Sequence, residues 1–134
     1  MYLLDTNIVS ALVRQPGGPV RDRIQSVGED RVATSIIVAA ELRYGATKKG
    51  SARLAKQVDA ILGALPVLAW EAPYDTVYGD LRADLEGKGQ VIGGNDLLIA
   101  AHALALDADL VTANTREFVR IKNLRCENWL SAGA

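Results

Sequence analysis

Tyr2-Leu-Leu-Asp-Thr-Asn-Ile-Val9 is an apolar run that stops at Asp5-Thr6-Asn7 and gives way to apolar positions at Ile8, Val9, Ala11 and Leu12. A short apolar run, then polar residues, then helical spacing reads as a buried strand, a tight turn and a helix. The same alternation recurs along the chain. Arg31-Val-Ala-Thr34 reads as a second strand, with Ser35 capping a helix that reaches about residue 48. Pro66-Val-Leu-Ala69 is a third, followed by a helix over residues 72 to about 86. Asn95 is placed to cap a helix from Asp96 to about residue 106, ahead of the strand Ala108-Asp-Leu-Val-Thr112 and a last extended piece near residues 124–127. Gln15-Pro-Gly-Gly-Pro19 interrupts the chain before a helical stretch over residues 20–27, and Gly50-Ser51 separates two helices of a hairpin. Strands alternating with helices predict an α/β fold, a mainly parallel central sheet flanked by helices in three layers, with residues 1–134 as one domain.

Composition narrows the function. With 15 Lys+Arg against 16 Asp+Glu, the net charge is −1, so no global basic field announces nucleic-acid binding. Aromatic residues make up only 5%, which leaves phosphates rather than stacked bases as the natural contacts for any RNA. The lone cysteine, Cys126, forms neither an internal disulfide nor a cysteine-based zinc site; together with an N-terminus unlike a signal peptide, it points to the cytoplasm. The longest apolar stretch, residues 97–106, is interrupted by His102 and is too short to span a bilayer, so no membrane association is expected.

Three acids stand out by position. Asp5 closes the first strand, Glu41 sits inside a largely apolar helix, and Asp96 opens a helix within Gly93-Gly-Asn-Asp-Leu-Leu-Ile-Ala100. Ligand sites of open α/β sheets lie beyond the carboxyl ends of the strands, where these acids and Asn114 can meet. Clustered carboxylates repel, and a hard divalent cation resolves the conflict; a set of oxygen donors favours Mg2+ or Mn2+ over zinc. Structural roles compete with this one: Asp5 as a helix cap, Asp96 as a first-turn acid facing the helix dipole, Glu41 as a solvent-facing or arginine-paired side chain. His102 reads as a packed residue, and Lys48, Lys49, Arg53 and Lys56 as a solvated face. Arg116, Arg120, Lys122 and Arg125 follow the site edge and are candidates for phosphate contacts. Gly87, Gly89, Gly93 and Gly94 do not compose a phosphate-binding fingerprint.

Taken in order, Leu3-Leu-Asp-Thr-Asn-Ile-Val9, Ser35-Ile-Ile-Val-Ala-Ala-Glu-Leu-Arg-Tyr-Gly45, Asn95-Asp-Leu-Leu-Ile-Ala-Ala-His102 and Leu110-Val-Thr-Ala-Asn-Thr-Arg-Glu-Phe118 resemble PIN-domain ribonucleases of the VapC toxin family. The closing Leu124-Arg-Cys-Glu-Asn-Trp129 looks like that family's tail, so the resemblance spans essentially the whole chain. It implies a PIN-like fold and the toxin of a type II toxin-antitoxin pair. That toxin is an endoribonuclease dependent on Mg2+ or Mn2+, cutting RNA, with tRNA as the expected substrate, by metal-activated water. It further implies inhibition by a VapB-like antitoxin and a homodimer that joins a larger complex with it. Asp5, Glu41 and Asp96 match the family's acids as metal ligands and catalytic residues. Asn114 stands where many PIN domains carry a fourth aspartate, and orients water or substrate. Two alternatives stand beside this reading. A phosphatase using Asp5 as nucleophile wants a second aspartate two positions on, where Asn7 stands, and a non-catalytic interaction module of the same fold would have no use for the three acids.

Overall fold

The first strand, β1 (Tyr2–Leu4), is the axis of the molecule, which is described here by a computed structural model over residues 1–130. Leu3 and Leu4 are fully buried, and β1 pairs in parallel with β2 (Val32–Ser35) on one side and β4 (Asp109–Val111) on the other. Two short strands, β3 (Val67–Leu68) and β5 (Cys126–Glu127), complete a five-stranded sheet in the order β3-β2-β1-β4-β5, every pairing parallel. A strand buried on both faces reads as a continuous apolar run rather than an alternation, and Tyr2-Leu3-Leu4 does so.

Crossovers follow the expected order. Between β1 and β2 run α1 (Thr6–Arg14), α2 (Pro19–Val27) and a 3-10 turn (Glu29–Arg31). The hairpin of α3 (Ile36–Lys49) and α4 (Ala52–Ala64) links β2 to β3, with Ser35 and Ser51 capping as the sequence suggests. The chain then reverses direction across the sheet through α5 (Tyr74–Gly87) and α6 (Gly94–Leu106) to β4, and α7 (Thr115–Phe118) leads to β5. Right-handed crossovers put α1 to α4 on one face and α5 with α6 on the other, giving three layers. The change of direction falls between β1 and β4, so their carboxyl ends flank the crevice where ligands bind in such sheets. Helix α6 begins two residues earlier than Asn95 capping would require: Gly93 is the N-cap, without a side-chain bond, and Asn95 lies exposed in the first turn.

Leu54, Val58, Ile61 and Leu62 of α4 read, in sequence, as an apolar face larger than one small sheet needs to cover and so as a surface for self-association. Val58 and Leu62 lie in the core, and Leu54 and Ile61 pack against it. That apolar stripe is consumed within the chain, so it gives no reason for self-association. No helix among the described residues is long and apolar enough to cross a membrane.

Candidate active site

Parallel register brings the ends of three strands to one edge. Leu4 sits opposite Thr34 of β2 and Val111 of β4, so the next residues, Asp5, Ser35 and Thr112, emerge side by side. All three are buried polar residues. The Asp5 backbone N–H donates to the Val111 carbonyl at 2.8 Å, extending the β1–β4 ladder through the site residue itself.

Asp5 is 2% exposed and carries two duties. As N-cap of α1 its Oδ1 accepts from the Thr6 N–H at 2.8 Å. Its Oδ2 accepts from Thr112 Oγ1 at 2.7 Å and, at 3.4 Å, from Asn7 Nδ2. The structural reading and the functional one therefore coexist. Burial pushes the Asp5 carboxyl above the usual aspartate range, and the donors on Thr112, Thr6 and Asn7 counteract the rise without cancelling it. Asn7 also accepts from the Ala113 N–H at 2.9 Å, and the Asn114 N–H donates to Thr112 Oγ1 at 3.0 Å, so the turn after β4 is stitched to the turn after β1.

The other acids converge on this point from separate elements. Glu41, half-buried on α3, accepts from Thr6 Oγ1 at 2.9 Å, one residue from Asp5; it is neither turned to bulk solvent nor paired with an arginine. Asp96, in the first turn of α6, is pushed up to about 7 by burial first, then by the charge of Asp5, by a shared hydrogen bond with Glu117, and by the charges of Glu117 and Glu41. A helix N-terminus is worth about 0.3–1 kcal/mol to an anion, less than one pH unit at about 1.4 kcal/mol per unit, and is outweighed here.

Glu117 is the site residue that reading the sequence passes over. Asn114-Thr-Arg-Glu117 has the pattern of a capping box, in which the glutamate would serve its own helix. The Asn114 side chain makes no capping bond, and Glu117 is engaged with Asp96 instead. Asn114 itself stands exposed at the rim, its side chain without a hydrogen-bond partner among the described residues.

His102 proves to be structural. It is fully buried on α6, with Nδ1 2.9 Å from Ser35 Oγ, while Nε2 has no partner; its ring lies 4.8 Å from that of Tyr74, and burial holds its pKa below the usual value. Because Ser35 Oγ also accepts from the Ile37 N–H, the hydroxyl proton is free to go to Nδ1, tying α6 to the start of α3. Cys126 is likewise a packing residue, its thiol raised to about 11 by burial and by nearby Asp5 and Asp109.

The donor set suits a hard divalent cation: oxygen only, anionic, and destabilised by its own proximity. Among the described residues no three acidic, histidine or cysteine side chains close into a ready coordination shell. Acids that repel while sharing one crevice are what a cation would draw together. The two engaged Asp5 oxygens, by contrast, suit a fixed ligand better than an attacking nucleophile, which weakens the aspartyl-phosphate alternative.

Comparison with known proteins finds relatives along nearly the whole chain. The PIN domain family matches residues 2–124. Ribonuclease VapC2 of Rickettsia felis is 44% identical over 131 residues, covering 96% of this chain and 98% of that protein. The tRNA(fMet)-specific endonuclease VapC of Shigella flexneri is 33% identical over 129 residues, covering 96% and 97%. The crystal structure of VapBC2 from Rickettsia felis, bound to a DNA fragment from their promoter, superimposes with a TM-score of 0.89 at 41% identity, over 96% of this chain and 98% of that one.

The strain at Asp96 makes a prediction with a defined sign. An aspartate whose folded value, about 7, lies above its ordinary 3.8 favours the fold while protonated, so its contribution to metal-free stability is fully present below about pH 4 and is lost as pH rises through about 7. Without divalent ions at pH 8, Asp96→Asn is expected to melt about 2–6 °C above the wild type, with the gap closing near pH 4. Melting curves across that window check it; a gap independent of pH would remove acid repulsion as the cause.

Proposed function

The chain belongs to the PIN-domain family, among its VapC ribonucleases, and from that premise we propose that it is the endoribonuclease toxin of a type II toxin-antitoxin pair. Divalent metal dependence is general among PIN-domain nucleases. The observation that carries the assignment to this site is the convergence of Asp5, Glu41, Asp96 and Glu117, acids from four elements of the fold, on one crevice, where burial and the other three acids push Asp96 up to about 7.

In this reading Asp5 and Asp96 hold Mg2+ or Mn2+, with Glu41 and Glu117 completing the acidic pocket. The cation, when bound, supplies charge neutralisation at a phosphoryl oxygen and acidifies water, as phosphodiester hydrolysis needs. The protein's share is positioning. Thr112 and the Thr6 N–H fix the Asp5 carboxylate, Thr6 Oγ1 fixes Glu41, and the Ser35–His102 link sets α3 against α6 so that Glu41 and Asp96 keep their relative places. Asn114 offers an uncommitted amide at the rim to orient water or substrate. The substrate is RNA, with tRNA favoured by the name of the Shigella flexneri relative, and the setting is cytoplasmic.

A VapB-like antitoxin is the partner. The Rickettsia felis VapBC2 complex provides the precedent, and four clustered carboxylates provide the chemistry: an arginine on the antitoxin tail forms forked bonds to the oxygens that otherwise hold the cation. Inhibition is then charge replacement. The chain also pairs with a second copy before joining the larger complex. On α3, Ile36 is 46% and Tyr44 64% exposed, with the small Ala40 between them at helical spacing, an apolar stripe flanked by the Lys48 ammonium, 5.9 Å from the Tyr44 ring centre.

Two outcomes test these statements. RNA cleavage should require Mg2+ or Mn2+, stop with EDTA, and fall by about 100-fold or more in Asp5→Asn and Asp96→Asn, since each removes an anionic ligand and keeps shape; full activity in either variant would reject the site. Sedimentation of the free protein should give a dimer at micromolar concentration and a monomer for Tyr44→Glu with an unchanged melting temperature, whereas a wild-type monomer would remove the dimer.

A further inference from the structure

Several of the chain's cations are neutralised by acids within the fold. Arg43 pairs with Asp59, Arg82 with Glu86, Lys88 with Asp84, and Arg125 with both Asp107 and Asp109. Arg120 donates to the Val91 carbonyl at 3.3 Å. Two of the four basic residues after the site edge are thus committed within the fold. Arg116 is exposed, has no ion-pair or hydrogen-bond partner among the described residues, and lines a cleft of about 500 Å³ formed by residues 113–117, next to Glu117.

A matching arrangement lies on the other side of the acids. Helices α1 and α3 face each other across a groove of about 190 Å³ that has Glu41 at one end. Thr6, Ser10 and Arg14 follow each other at i, i+4 and i+8 on α1, and Glu41, Gly45 and Lys49 do so on α3. Thr6 and Glu41 are hydrogen-bonded at the mouth, so Arg14 and Lys49 stand about 12 Å farther along, at 1.5 Å per helical residue. Both are exposed, and neither meets a carboxylate: Arg14 donates to Ser10 Oγ on its own helix at 3.2 Å, and Lys49 has no partner among the described residues.

The acids lie together between these two clefts. Glu41 is hydrogen-bonded to Thr6, which adjoins Asp5, while Asp96 lies in the field of Asp5, Glu41 and Glu117, and Glu117 lines the cleft that holds Arg116. Unneutralised cations therefore bracket the acids on both sides. We propose that the RNA strand crosses the acidic site with its backbone held on both flanks, by Arg116 beyond Glu117 and by Arg14 and Lys49 along the α1–α3 groove beyond Glu41. This rests on the nuclease reading and adds the path of the substrate. Phosphate is the ligand chemistry that fits: a scissile group at the acids needs a cation there, while its neighbours need fixed positive charge on either side. It also explains how a chain of net charge −1 engages a polyanion without a basic surface.

Cleavage of a fluorescent single-stranded RNA in Mn2+, followed over a range of KCl, tests the path. The three side chains are exposed, and circular dichroism should show Arg14→Ala/Lys49→Ala and Arg116→Ala folded. Each lost phosphate contact is expected to reduce the slope of log KM against log salt by about 0.7, hence about 1.4 for the double variant. KM should rise several-fold while kcat stays within about twofold, and a Lys88→Ala control, at the residue after α5 whose side chain pairs with Asp84, should match the wild type. Unchanged KM and slope in all variants, with an active wild type, would overturn the path and leave the nuclease standing. Unchanged RNA kinetics with weakened antitoxin binding would assign the groove to the protein partner, overturning it too. A wild type that neither binds nor cuts RNA would remove the nuclease reading and the path together.

Discussion

A carboxylate buried at the end of the central strand is the constraint around which this molecule is arranged. Asp5 is 2% exposed, and leaving such a group without donors would cost several kcal/mol. The surrounding turns are built to prevent that. Thr112, Asn7 and the Thr6 N–H each donate to it, and Thr112 and Asn7 in turn engage the backbone of residues 113 and 114. Satisfying Asp5 therefore fixes the chain after β1 and after β4 together, and the crevice between them inherits its shape.

The same economy leaves the site deliberately incomplete. Donors around Asp5 offset burial only in part, and Asp96, Glu41 and Glu117 add charge rather than remove it. Such an arrangement lowers stability in exchange for a place where a cation, or an arginine carried by a partner, gains more than it would on an ordinary surface. In the proposed function, activity and inhibition become two occupancies of one electrostatic defect, so that a single acidic pocket serves both catalysis and control.

Much of this is legible in the sequence. The apolar run at Tyr2-Leu3-Leu4, the serine caps at Ser35 and Ser51 and the breaks at Pro16 and Gly50 locate the elements, because each acts through local chemistry. Asp5, Glu41 and Asp96 stand out for the same reason, an acid where the pattern wants an apolar residue or a helix start. What escaped depends on contacts distant in sequence. Glu117 looks like half of a capping box until its neighbour Asp96 is known, and α4 looks oversupplied with apolar residues until α1 and α3 are packed against it. Equally, Arg116 and Arg125 are indistinguishable along the chain; only the fold shows that Arg125 is spent on Asp107 and Asp109.

The central claim is that Asp5, Glu41, Asp96 and Glu117 form one repelling unit that a divalent cation resolves. Thermal melting of the wild type and Glu117→Gln, with and without Mn2+ at pH 8, addresses it most directly because two effects of one substitution must have opposite signs. The account predicts that Glu117→Gln melts higher than the wild type without metal and gains less on adding Mn2+, through the linkage of cation binding to the folded state. Equal melting temperatures without metal and an equal Mn2+ shift in both proteins would contradict it.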